Sequence, residues 1–269
     1  MRITRSEIWR ATRTPDGPAS ERIRPLADAI EVEAWGAGAD WALERAADLI
    51  GLDDDWTEFR PTNVLLRTLL ITHAGLRLTR TSAVMEALMP AILEQKVTGT
   101  EAWRAWRAIV RHHSEPAPGP GDVRLPPSPA TLAALPYYSF HPLGVERRRA
   151  ETLKRATSLA TELEALAGGP LDRAYARLLA IPGVGPWTAA EVAVRAFGDP
   201  DAVSVGDFHL PSLVSWTLAR EPRGDDARML ELLEPYRGHR ARVVRLLETS
   251  GVRAPRYGPR LSPRSIAGI

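Results

Sequence analysis

Two glycines one residue apart, Gly183 and Gly185, stand in the run Ile-Pro-Gly-Val-Gly-Pro between two stretches of helical spacing. Glycine costs roughly 0.5–1 kcal/mol relative to alanine inside a helix or strand, so the pair marks a tight turn that something approaches closely. Without side chains above the backbone, the amides of Gly183, Val184 and Gly185 can point outward at a phosphate oxygen. The N-terminus of a helix opening at Pro186 adds to that field. A turn of this kind grips a nucleic-acid backbone without reading its sequence. A plain turn between helices would need one glycine. Asp207 follows Trp187 by twenty residues, in Val-Gly-Asp-Phe, just ahead of an apolar stretch. A carboxylate there can cap a helix, or it can stabilise positive charge in a water-poor site.

The rest of the composition narrows the chemistry. The chain has 269 residues and no cysteine, which excludes disulfides, iron–sulfur clusters and thiolate zinc. Its six histidines form no HxxxH-type pair, so no metal enzyme is expected. The amino-terminal Met-Arg-Ile-Thr-Arg-Ser is charged and lacks an apolar core, and no apolar run approaches the ~20 residues of a membrane span. A soluble, cytoplasmic, monomeric protein without cofactor is expected. Charge is unevenly placed. Residues 28–58 are acidic, whereas Arg237, Arg240, Arg242, Arg245, Arg253, Arg256, Arg260 and Arg264 face only Glu248 over the same span. With the run Glu-Arg-Arg-Arg from Glu146, this suggests a polyanionic partner; a solvated arginine-rich face is the plainer reading.

These residues need elements to hold them. Residues 7–36 alternate as strands, with Thr-Pro-Asp-Gly-Pro as turn chemistry. A helix is expected from Asp40 as its cap to Gly51, another near Pro61, and another from a Ser82 cap to Gly99. Ser-Glu-Pro-Ala-Pro-Gly-Pro-Gly, from Ser114, reads as a linker or long surface loop. The expected class is α+β, with an α+β amino-terminal domain over 1–78 and a mainly helical domain over 79–269.

The run Leu-Leu-Ala-Ile-Pro-Gly-Val-Gly-Pro-Trp-Thr-Ala followed by Asp207 resembles the helix-hairpin-helix DNA glycosylase superfamily, and within it the bacterial 3-methyladenine DNA glycosylase II group. Ala-Ile-Leu-Glu-Gln-Lys-Val-Thr-Gly resembles the helix whose Gln begins a DNA-facing wedge. Val-Glu-Ala-Trp-Gly suits that group's β-containing domain, and Pro-Tyr-Arg-Gly-His-Arg-Ala-Arg resembles its closing helix. The likeness spans nearly the whole chain, and the hairpin with its aspartate is the specific part.

The resemblance implies base excision. A damaged purine is flipped from duplex DNA into a pocket, and Asp207 stabilises the oxocarbenium-like sugar and orients water. Trp187 stands where strand-cutting relatives carry a Schiff-base lysine, which implies a glycosylase without lyase activity. Trp187 and Phe208 would line the pocket; either ring could instead fill the core. Gln95, Lys96, Gly183, Val184, Gly185, Thr188, Arg240 and Arg242 would contact DNA, with hairpin carbonyls open to a monovalent cation.

Three positions depart from that group. Glu191 replaces a frequent aromatic, Arg245 a pocket tryptophan and Lys96 an apolar wedge. The resemblance implies 3-methyladenine and 7-methylguanine as substrates, whereas a pocket with fewer stacking rings and more charge would favour a neutral deaminated base such as hypoxanthine. Tyr138 or His141, from Pro-Tyr-Tyr-Ser-Phe-His, is expected either to reach the pocket or to pack beneath a loop. A non-catalytic hairpin module recognising distorted duplex, and a helical scaffold without DNA affinity, are the alternatives.

Overall fold

The computed structural model describes residues 1–255 together with Pro263 and Ile266. Its amino-terminal part is a four-stranded antiparallel sheet in the order β1-β2-β3-β4: β1 Arg2–Ile3, β2 Ile8–Thr14, β3 Gly17–Pro25 and β4 Ile30–Trp35. Pro15 and Asp16 form the two-residue turn that sets Thr14 opposite Gly17. Alternation then directs Trp9 and Ala11 to one face and Arg10 and Thr12 to the other, and all four are buried.

Each face is covered from the helical part. Over Trp9 and Trp35 lies the proline-rich segment after Ser114. Any Cβ on Gly121 would meet the Trp9 ring at 2.2 Å, and one on Gly119 would meet Trp35 at 2.7 Å. Ser20 Oγ donates to Pro118 O, and Ala117 N to Val123 O at 2.9 Å. The segment is therefore an ordered strap rather than a free linker, and its glycines permit close packing. On the other face Arg10 donates to Glu21 at 2.6 Å and to Glu86 at 2.8 Å. Burial pushes the Glu21 carboxyl up, while the two carboxylates keep Arg10 charged. This buried ion triad fixes the sheet on the helices.

The helices are α1 Ala39–Glu44, α2 Ala46–Ile50, α3 Val64–Thr72, α4 Val84–Glu94, α5 Gly99–His113, α6 Pro129–Ala134, α7 Arg147–Ser158, α8 Ala160–Glu164 and α9 Leu171–Leu179. They continue as α10 Pro186–Val192, α11 Leu210–Ala219, α12 Asp226–Leu233 and α13 Arg240–Thr249. The apolar helix α4 is the hub: Leu88, Ile92 and Leu93 are fully buried against Ile109, Leu153, Leu163 and Leu178. Truncating one such leucine to alanine costs about 2–5 kcal/mol. A second core joins Phe59, Leu66 and Leu69 to Val214, Met229, Leu233 and Val243, so the carboxy-terminal helices close on α3.

Two expected caps are corrected. Asp40 lies inside α1, which starts after Gly38. Ser82 does not cap α4: the Glu164 carboxylate accepts from Val84 N at 2.8 Å and Met85 N at 2.9 Å. That carboxylate is eighty residues from Val84 in sequence, and α4 ends at Glu94 rather than Gly99. Among the described residues no helix is long and apolar enough to cross a membrane.

Candidate active site

The two-glycine turn links α9 to α10, with Ile181 and Val184 buried beneath it. Gly183 has φ +99°, and a Cβ there would strike Thr152 Oγ1 on α7 at 2.2 Å. Glycine is thus required twice over, by conformation and by the close approach of α7. Among the described residues the amides of Gly183 and Gly185 have no acceptor, and Gly183 is exposed. Val184 differs: its amide donates to Ile181 O at 2.9 Å. The expectation that Val184 presents an amide to phosphate is corrected, because that N–H closes the turn.

Gln95 binds the hairpin to the loop after α4. Its Nε2 donates to Gly183 O at 3.0 Å and to Thr188 Oγ1 at 2.8 Å. Thr188 is buried with its hydroxyl so occupied, and the expectation that it touches DNA is corrected. Lys96, the next residue, is exposed in the left-handed region with φ +55°. An L-residue held there stores strain that the surroundings must over-determine. The Gln95 bonds do part of this. Arg149 does another part, donating to Leu93 O at 2.7 Å from a side chain only 5% exposed. Arg149 belongs to the basic run read as partner-facing; the fold turns it inward.

Asp207 sits on the loop between α10 and α11. Its Oδ1 accepts from His209 N at 2.7 Å and Leu210 N at 2.8 Å, which caps α11. Its Oδ2 accepts from Trp187 Nε1 at 3.0 Å. One oxygen thus caps the helix and the other faces the half-buried indole. Gly206, with φ +92°, donates its amide to both oxygens of Asp226 at 3.1 Å. Asp226 is thereby a support of the turn that sequence reading missed. Phe208 projects with 80% of its surface exposed and meets only the His209 ring edge-on, so it fills no core.

Charged side chains surround this pair. Glu191, one turn past Trp187, accepts from Ser204 Oγ and pairs with Arg195. Arg245 pairs with Glu248 at 3.2 Å. Partial burial raises the Glu248 carboxyl; Arg245 opposes that rise, and the nearby Glu191 and Asp207 charges add to it. Burial likewise raises Glu94, with Arg195 opposing and Glu191 adding.

Other expected site residues lie elsewhere. Tyr138 and His141 are on the 3-10 turn Tyr137–Leu143, which packs against α5 and α7. Among the described residues neither shares a hydrogen bond or ring contact with Trp187 or Asp207. Arg242 is buried and donates to both Asp54 oxygens at 2.6 Å. Arg240 donates to Asp201 at 2.8 Å and holds the loop after α10. The expectation that these two arginines reach DNA is corrected: carboxylates of the fold itself take both. Arg256, Arg260 and Arg264 lie outside the described residues. Among the hairpin carbonyls, Pro182 O accepts from Arg155 at 3.4 Å and Gly183 O from Gln95, so neighbouring side chains already use part of any cation's oxygen set.

No family model matches the chain. Over 169 residues it is 31% identical to the probable bifunctional transcriptional activator/DNA repair enzyme AlkA of Mycobacterium tuberculosis, covering 62% of this chain and 32% of that protein. It is 26% identical over 149 residues to the putative DNA-3-methyladenine glycosylase YfjP of Bacillus subtilis, covering 53% of this chain and 50% of that protein. The matches thus span about a third and about half of those relatives' own lengths. The solved 3-methyladenine DNA-glycosylase from Archaeoglobus fulgidus superposes with a TM-score of 0.78 at 20% identity, over 91% of this chain and 87% of that one. The chain shares the fold of that solved glycosylase. Its α+β class, sheet first and helices after, is that of this fold.

Proposed function

We propose that this chain is a monofunctional DNA glycosylase that releases alkylated or deaminated purines from duplex DNA, acting as a monomer. The observation carrying the reading is the Trp187–Asp207 hydrogen bond, 3.0 Å long, on a loop beside a hairpin whose Gly183 and Gly185 amides are unused. The hairpin amides take a phosphate of the damaged strand. Lys96, strained and exposed, enters the gap that the everted nucleotide leaves. Phe208, exposed beside the acid, offers a ring to the extruded nucleoside.

In the chemical step the C1′–N bond breaks and its electron pair leaves with the base. The ionised Asp207 carboxylate stabilises the cationic sugar, fixed in place by two amides and one indole that need no reorganisation. Water adds to C1′ and its proton passes to Asp207. Lys96 and Lys154 are the only lysines in the chain. Lys154 is committed to Leu135 O, and the Schiff-base position holds Trp187. This supports hydrolysis without strand cleavage. The electron-rich indole favours cationic 3-methyladenine and 7-methylguanine, and the flanking Glu191, Arg245 and Glu248 suit the polar edge of hypoxanthine.

The test is base release from duplexes carrying 3-methyladenine, 7-methylguanine, hypoxanthine or uracil, with Asp207→Asn as control. Release of a purine above that control, with strand breaks appearing only after alkali, is expected. No release from any duplex, with DNA affinity retained, would assign the chain to the non-catalytic binding modules. Strand breaks without alkali would overturn the monofunctional reading.

A further inference from the structure

Helix α5 carries an outward stripe that the excision site does not use. Its buried face is Ala102, Ala105 and Ile109, with Trp106 packed on the same core. At 3.6 residues per turn, Trp103, Arg104, Arg107 and Arg111 fall within an arc of about 100° on the opposite side. Trp103 is 58% exposed, and the three arginines are exposed as well. Among the described residues none of the three makes an ion pair, side-chain hydrogen bond or ring contact. Arg147, Arg155 and Arg237, which are also exposed, differ in that each lies against a glutamate. No acidic residue interrupts the stripe. The stripe thus presents one exposed indole among three cations that no carboxylate of the described residues neutralises.

The position of α5 says which partner. The helix begins three residues after Lys96, and Gln95 ties that loop to the hairpin through Gly183 O and Thr188 Oγ1. The Thr98–Glu101 capping box fixes its first turn, with Thr98 N donating to Glu101 at 2.7 Å. The stripe thus lies on the element that directly follows the Lys96 loop. From Trp103 to Arg111 it runs roughly 12 Å along the axis, enough to face three or four phosphates of one strand at about 3.4 Å each.

We infer that Arg104, Arg107 and Arg111 contact the phosphates of undamaged duplex flanking the lesion, with Trp103 packed against the sugar edge. This rests on the glycosylase reading for the identity of the polyanion. Phosphate binding of this type carries no sequence information, so it lengthens the footprint and holds the enzyme on DNA between lesions.

The experiment measures the affinity of the full chain for an undamaged 30-base-pair duplex across a salt series. The comparison is wild type against the triple variant Arg104→Gln, Arg107→Gln, Arg111→Gln, and separately Trp103→Gln. Circular dichroism and melting confirm that the exposed substitutions leave the helix folded. The slope of log K against log salt should shrink by about 2.7 in the triple variant, about 0.9 for each phosphate that is no longer neutralised. Trp103→Gln should weaken binding several-fold with little change of slope. An unchanged slope in the triple variant overturns the inference. So does self-association of the wild-type chain that Trp103→Gln abolishes, which would assign the stripe to a second copy. Base release by the wild type is followed separately: its absence, with the slope effect present, sinks the glycosylase reading and leaves the stripe as a DNA contact.

Discussion

Trp187 Nε1 donates to Asp207 Oδ2 at 3.0 Å, while Asp207 Oδ1 accepts from the first amides of α11. One carboxylate is thus held from both sides, on one by an indole that the sequence places twenty residues before it and on the other by the amides just after it. Its orientation is set before any substrate arrives. Asp207→Asn should retain the cap, because the amide oxygen still accepts from His209 N and Leu210 N. We expect base release to fall by about 10²–10³ or more with little change in melting temperature. Equal losses of rate and stability would show that Asp207 serves the helix alone.

Trp187→Phe keeps a ring and removes the indole N–H. A hydrogen bond to a charged acceptor contributes about 1.5–3 kcal/mol, so the single-turnover rate should drop roughly tenfold or more while affinity for undamaged duplex stays near wild type. Single-turnover kinetics separate the two quantities. A loss confined to DNA binding would place the indole's role outside the chemical step.

Gly183→Ala should damage the hairpin through both φ +99° and the 2.2 Å approach to Thr152 Oγ1. Adding Thr152→Ala removes only the clash. The double variant should therefore recover part of the deficit in melting temperature and remain several-fold weaker than wild type on duplex DNA. Full recovery of binding in the double variant would show that the backbone conformation is not the requirement.

Gln95→Ala cuts the link between the wedge loop and the hairpin. Excision of a lesion in a matched pair should fall about tenfold, and a lesion in a mismatch, cheaper to evert, should suffer less. Side-by-side rates on the two duplexes decide this. An identical loss on both would mean that Gln95 does not assist eversion.

Arg242→Ala tests the corrected role of that residue. Breaking a buried ion pair by removing one partner costs about 3–5 kcal/mol, and the Arg242–Asp54 pair is only 4% and 8% exposed. Burial raises the Asp54 carboxyl, yet bonds from Arg242 and Leu78 N hold it, on balance, below its usual value. A depressed folded value means stability that is full above about pH 4 and is lost as pH falls through the lower folded pKa. The variant's deficit in urea midpoint should therefore be largest at neutral pH and narrow toward pH 3. A deficit that stays constant with pH would exclude the ion pair as its source.

Much of the fold was legible from local pattern. Alternation along β2 and β4, the Pro-Asp turn and the amphipathic helices all reflect periodicities set by neighbours in the chain. The strap after Ser114 was not legible. Its composition matches that of a linker, and only the apposition of Gly121 to Trp9 and Gly119 to Trp35 shows why those residues occur there. The α4 cap was equally hidden, because Glu164 reaches it from another helix.

The sequence by itself determined the two-glycine hairpin, the Trp187–Asp207 spacing, the absence of thiol chemistry and the order of sheet before helices. These are properties of residue type and short-range spacing. Tertiary structure alone decided which basic residues face outward. Arg149, Arg240 and Arg242 look like partner-facing residues in the chain, yet Leu93 O, Asp201 and Asp54 take them. Arg104, Arg107 and Arg111, which stand in an ordinary amphipathic helix, are left exposed. The reason is physical: a guanidinium inside the fold must be matched by an acceptor brought near by packing, and no local pattern records where that acceptor will come from.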